Sequence, residues 1–192
     1  KILTQLGGAF ATKNILNGVW VPFILPKAKY SDIGSAMKGC FLPAIERSLK
    51  GKYSETELRD CCNESLNEKL TITDGSRHES LIKGMNHEDV IGCYFPCLTE
   101  YSVPAAIEKV QQLPEKFLLA GGYDTAAALI GSPELLFRAD KYPPLLWLSA
   151  ISGDKKGVDF HFESYGYNLA FNQRAHFDRV AESWACGLVV LG

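Results

Sequence analysis

Leu146-Trp147-Leu148-Ser149-Ala150-Ile151-Ser152-Gly153 is followed, 34 positions on (187 − 153), by Ala181-Glu182-Ser183-Trp184-Ala185-Cys186-Gly187. Each stretch sets a tryptophan, an alanine and a glycine in the same order, and a period near 34 is that of one helix-pair repeat in a solenoid. Read as the starts of two short helical hairpins, they make Pro143 to Gly192 the stretch on which the fold class turns. Ala150 and Ala185 are then expected where two helices approach closely, and Gly153 at the tight turn between helices.

Upstream punctuation extends the helical reading. Ser102 with Pro104 starts a helix that Leu113-Pro114 ends, Pro114 starts another that Gly121-Gly122 stops, and Asp124 caps Ala126 to Ile130. Ser132-Pro133-Glu134 opens Leu135 to Ala139, Pro143-Pro144 opens Leu145 to Ile151, Val158 to Ser164 continues, and Asn172 caps a last helix from Arg174 to Ala185. Earlier, Ser31-Asp32 precedes Ile33, Met37, Phe41, Ile45 and Leu49 at helical spacing, with Pro43 expected to kink or divide the element. Ser54-Glu55-Thr56-Glu57 has the form of a capping box, predicting a helix that buries Leu58, Cys61, Cys62, Leu66 and Leu70. The first thirty residues, broken by Gly7-Gly8, Asn17-Gly18, Pro22 and Pro26, read as a short helix and an extended segment through Val19-Trp20-Val21. The expectation is a mainly α chain, a compact array of short helices. A helical region spans 1–100 and a helical-hairpin array spans 101–192, the two able to form one continuous domain. Helices of two or three turns are not stable alone and must pack on one another.

Pro144 to Phe160, running on to Tyr165-Gly166-Tyr167-Asn168, resembles one degenerate ankyrin repeat: a first helix with an alanine near its end, a glycine turn, a second helix with paired apolar residues, and a glycine leading to an asparagine. The family's Thr-Pro-Leu-His start is replaced by Pro143-Pro144-Leu145-Leu146, and the second copy near Ala181 is cut off by the end of the sequence. The resemblance covers residues 143–192 only. It implies a stacked helix-pair surface for protein binding, continued in residues beyond Gly192, so that the chain would be a fragment of a larger protein. The alternative is an ordinary helical domain in which the echo is a coincidence.

Composition excludes several classes. With 192 residues, 46% hydrophobic and 22% charged, the chain can bury a sizeable core and is not of disordered composition. Its 20 basic and 22 acidic residues give a net charge of −2, and the basic residues are scattered, so no footprint for nucleic acid is present. The longest apolar run, Val19 to Leu25, is interrupted by Pro22 and is far short of a membrane span. A chain opening on Lys1 is expected to have lost an upstream segment. The six cysteines lack the dense, regular spacing of a disulfide framework, which points to reduced thiols and a reducing intracellular compartment. The sequon Asn63-Glu64-Ser65 falls within the expected helix and has little weight against that.

Candidate chemistry rests on a few side chains. His78, His87, Cys93 and Cys97 are the ligand types of a structural zinc, but their spacing fits no familiar site and buried thiols are commonly core. A thiol nucleophile drawn from Cys40, Cys93 or Cys186, with His161 or His176 as base, would make the protein a small hydrolase or transferase. Gly7-Gly8 and Gly121-Gly122 lack the lysine and hydroxyl residue of a phosphate loop, and no cofactor motif is present. Trp147 and Trp184 either fill a core between repeats or stand exposed as anchors for a partner. The functional expectation is a protein-interaction module with a protein partner and no cofactor, nucleic acid or membrane span. A thiol enzyme and a structural subunit of an assembly are the alternatives.

Overall fold

Val158 to Tyr165 and Asn168 to Ala175 have a period of two, not of 3.6: Phe160, Phe162, Leu169 and Phe171 are buried in one cluster, while Asp159 and His161 alternate with them. Tyr165 pairs with Asn168, so Gly166-Tyr167 is a two-residue turn, and Gly166 has the positive φ (62°) that such hairpins need. The ankyrin-like stretch is therefore a β-hairpin flanked by further strands, and the helical-repeat reading is overturned. The computed structural model describes residues 1–8, 13–137, 145–175 and 179–192. It shows an α/β fold around one mixed sheet in place of the expected mainly α array.

In chain order the elements are α1 (Ile2–Gly8), β1 (Val21–Leu25), α2 (Ile33–Ala36), a π-helical segment (Met37–Phe41), α3 (Leu42–Lys52), β2 (Leu58–Asp60), β3 (Thr71–Ile72) and α4 (Glu79–His87). There follow β4 (Val90–Thr99), α5 (Val103–Gln112), β5 (Phe117–Leu119), α6 (Gly122–Gly131), β6 (Leu145–Trp147), β7 (Ile151–Ser152), β8 (Val158–Tyr165), β9 (Asn168–Ala175) and β10 (Trp184–Leu191). The eight-stranded sheet has the order β1-β4-β10-β6-β8-β9-β2, with β5 also pairing with β10, and β3 pairs with β7 in a small second sheet. Strands from both halves of the chain thus build one sheet. β10 is its axis, antiparallel to β4 on one side and, on the other, parallel to β6 through Trp184–Cys186 and antiparallel to β5 through Leu188–Val190.

Helices cover both faces of the sheet. The α2–α3 unit, α4 and α6 pack on the face carrying Phe23, Tyr94, Phe162, Phe171 and Val189. Helices α1 and α5 pack on the opposite face over Phe95, Leu145, Trp147, Cys186 and Leu188. Strands buried on both faces read as continuous apolar runs, which is why Ala185 to Leu191 shows no alternation to mark it as a strand. At Gly187 the ladder with β4 shifts register, and a Cβ there would lie 2.6 Å from the buried Tyr94 ring, so only glycine fits.

Several local expectations are corrected. Ser54 does not cap a helix: Glu57 donates its N–H to Asn168 Oδ1 (3.0 Å), Leu169 donates to Glu57 O (3.0 Å), and Leu58–Asp60 joins the sheet parallel to β9. Pro114 leads into β5, not a helix. Asp124 is the third residue of α6, its carboxylate accepting the Gly121 N–H at 2.9 Å, where it was expected to cap the helix. No helix spans Arg174 to Ala185 among the described residues; Ala150 lies in the turn just before β7 and Ala185 in β10. The long N-terminal helix is not broken at Pro43: α2 runs through the π segment into α3 with αR backbone at each junction, and the proline sits in the first turn of α3 directly after the π segment.

Candidate functional site

The sheet register sets four residues in one row across neighbouring strands: Cys186 (β10), Trp147 (β6), His161 (β8) and Asn172 (β9). Trp147 is fully buried and packs edge-on against His161 (5.1 Å between centroids) and against Trp184 (5.5 Å). The two tryptophans expected at equivalent places in successive repeats do meet, but as neighbours on adjacent strands. Trp184 is half-buried, with the Arg174 guanidinium 5.4 Å over its ring. Glu163 accepts hydrogen bonds from Asn172 Nδ2 (3.1 Å) and Arg174 NH2 (3.2 Å), and its Oε1 lies 3.5 Å from His161 Nε2.

This row does not assemble a thiol–imidazole pair. Cys186 and His161 are two strands apart, about 10 Å at ordinary strand spacing, with Trp147 between them. Burial pushes the Cys186 thiol up to about 12 and the His161 imidazole down to about 4, so both stay neutral at neutral pH. Cys93 lies on β4, on the far side of β10 from His161. Cys40 is exposed in the π segment, and His176 lies outside the described residues.

The four zinc-type side chains are likewise dispersed. His78 and His87 stand at opposite ends of α4, about 13 Å apart along the axis. His78 is buried with Nδ1 3.3 Å from Leu119 O, His87 is exposed, Cys93 is buried under α1 and α5, and Cys97 is exposed further along β4. Among the described residues no three His, Cys, Asp or Glu side chains converge on one point.

An open apolar feature lies at the end of the sheet. β1 is the terminal strand, paired with β4 on its inner side. Val21, Phe23 and Leu25 point into the helix-covered core, whereas Ile24 and its cross-strand partner Ile91 are 57% and 59% exposed on the other face. The end of α6 and Phe41 stand beside the strand, so the edge opens into a groove of about 600 Å³ between Pro22, Ile24, Pro26 and Ile91 on the sheet side and Phe41, Ala127 and Ile130 on the helix side. No charged side chain lines it among the described residues. Sequence reasoning did not single out this place. The signal available was Val19–Leu25, the longest apolar run, with a proline of the kind that sheets admit at an edge.

No family model matches the chain, and no curated protein or solved structure matches it.

Proposed function

We propose that the protein is an interaction module that takes an extended segment of a partner protein along the outer edge of β1. The observation that carries this reading is the uncharged terminal strand Val21–Leu25, whose outer edge opens into an all-apolar groove walled by a helix. An apolar edge presents backbone donors and acceptors that pair readily with another chain, and proteins ordinarily guard such edges with charge or proline; β1 carries Pro22 but no charged residue. Strand addition beside a helix is an established mode of peptide recognition, in which main-chain hydrogen bonds supply affinity and pockets for alternate side chains supply specificity. A segment paired with β1 would set one row of side chains against Phe41, Ala127 and Ile130, and the other beside Ile24. The partner sequence is therefore expected to be extended and apolar at alternate positions. The helix wall favours a single strand over a second folded domain.

Selection from a displayed library of random peptides tests the reading. Sequences with alternating apolar residues should be enriched on the native protein, and their binding should fall at least tenfold in Ile24→Lys and Ile91→Lys. Both residues are more than half exposed, so the thermal stability of these variants should be unchanged within about 0.5 kcal/mol. Binders that ignore both substitutions, or no enrichment over the Ile24→Lys protein, would reject it.

A further inference from the structure

On the opposite side of the sheet from α6, a second cavity of about 600 Å³ opens between the first turns of α5 and the turn that joins β7 to β8. Its size is that of a small-molecule site. Val103, Pro104 and Ile107 of α5 form an apolar wall. Facing them, Thr73 and Ser152 bring their hydroxyls together at 2.7 Å, a polar pair supported by the β3–β7 ladder. The charges are arranged by depth. Asp159 lines the cavity as a buried carboxylate at the start of β8, while Lys155 and Lys156 are exposed at its rim. Lys155 is 3.7 Å from Glu64, so part of its charge is shared, whereas Lys156 stands beside it on the same turn. Gly157, with φ of 72°, lets the chain reverse there and lead Asp159 down into the cavity.

A simple anion would meet the rim lysines but would have Asp159 beneath it, and a simple cation would pass two ammonium groups to reach that carboxylate. A molecule carrying both charges, with an aliphatic flank, complements all three features. We infer that this cavity binds a small zwitterion of the amino-acid type, its ammonium directed to Asp159, its carboxylate to the Lys155–Lys156 rim and its apolar side chain to Val103 and Ile107. Asp159 need not be vacant for this, because a carboxylate accepts several hydrogen bonds at once. The site is separate from the β1 edge and does not depend on the peptide-binding proposal.

Three probes of matched shape separate the contributions: L-leucine, 4-methylpentanoate, which lacks the ammonium, and 3-methylbutylamine, which lacks the carboxylate. Titration calorimetry on the whole chain should show saturable leucine binding with a Kd of about 1 mM or tighter. Each analogue should bind at least about tenfold more weakly, since it forgoes one of the two charge-assisted contacts that leucine makes. Asp159→Asn should abolish the preference for leucine over 4-methylpentanoate. Because that variant removes a buried carboxylate and can unfold, Ile107→Trp, at a half-buried position on the cavity wall, is the second test and should block leucine without loss of fold. The inference is overturned if leucine shows no saturable binding, if 4-methylpentanoate binds as tightly as leucine, or if folded Ile107→Trp binds leucine normally.

Discussion

Acidification should expose the strain of keeping His161 neutral inside the sheet. Its imidazole is wholly buried, its closest charged neighbour is Glu163 Oε1 at 3.5 Å from Nε2, and burial lowers its pKa from 6.5 to about 4. The nearby Glu163 carboxylate pulls the other way and the Arg174 guanidinium adds to the lowering, but desolvation dominates. Between pH 6.5 and 4 the unfolded chain therefore binds a proton at this site that the folded chain refuses, so stability falls as pH falls through that window. Above 6.5 the site adds no pH dependence, and below 4 the whole penalty is in place. A shift of this size corresponds to about 3 kcal/mol. The comparison that isolates it is wild type against His161→Phe, which keeps an aromatic ring against Trp147 and cannot titrate. Urea unfolding at half-unit steps from pH 7.5 to 4 should show the gap between the two proteins moving by up to about 3 kcal/mol in favour of the variant as the pH drops. Carboxylates remote from the imidazole cancel in the difference, and repeating the comparison in a Glu163→Gln background removes the one that interacts with it. Parallel curves over the whole range would mean that the imidazole titrates normally, and that its burial has been wrongly assigned.

Trp147→Ala should cost about 3–5 kcal/mol in chemical denaturation, and Trp184→Ala clearly less, because the first ring is fully buried and the second half-exposed; equal losses would contradict the packing described. Gly187→Ala places a methyl group 2.6 Å from the Tyr94 ring and should destabilise by about 1–3 kcal/mol, while an unchanged melting temperature would require Tyr94 to have room to move. Ser54→Ala should be neutral within about 0.5 kcal/mol, since Ser54 sits in a turn outside any helix; a loss near 1 kcal/mol would reinstate a helix start there. In native protein at pH 8, iodoacetamide should modify the exposed Cys40 and Cys61 well before Cys62 and Cys186, whose thiols burial holds near 12. Rapid labelling of Cys186 would revive the thiol-enzyme alternative.

What could be read from the residues was what short-range chemistry decides. Asp32 accepts the Ser35 N–H at 2.6 Å and Ser102 accepts the Ala105 N–H at 3.3 Å, each opening a helix where a capping residue announced one. Ser54-Glu55-Thr56-Glu57 carries an equally good local signal and loses. A cap contributes about 1 kcal/mol, and pairing Glu57 and Leu58–Asp60 with β9 gives the same backbone groups ladder partners as well as a packed neighbour. The Trp-Ala-Gly echo misled for a related reason. In a sheet covered on both faces every position is apolar, and the helical and extended readings of Ala185 to Leu191 cannot be told apart without its neighbours.

The candidate site was hidden at a further remove, because it depends on which strand comes last. The sheet has two ends, and they differ. At one, β2 is three residues long and carries Arg59 and Asp60, with Asp60 engaged by the Lys38 ammonium, so a short, charged strand closes that edge. At the other, β1 is five residues long and uncharged, and its Ile24 and the Ile91 opposite it on β4 are both more than half exposed. Both sequences were in view from the start, Val21-Pro22-Phe23-Ile24-Leu25 as an apolar run too short for a membrane and Leu58-Arg59-Asp60 as part of an expected helix. Only the strand order makes them the two ends of one sheet. One end has the guard that monomeric sheets employ. The other carries no charge and has Pro22 as its guard, which removes one backbone donor and leaves the acceptors and the remaining donors, and that weaker protection is the physical case for a partner at β1.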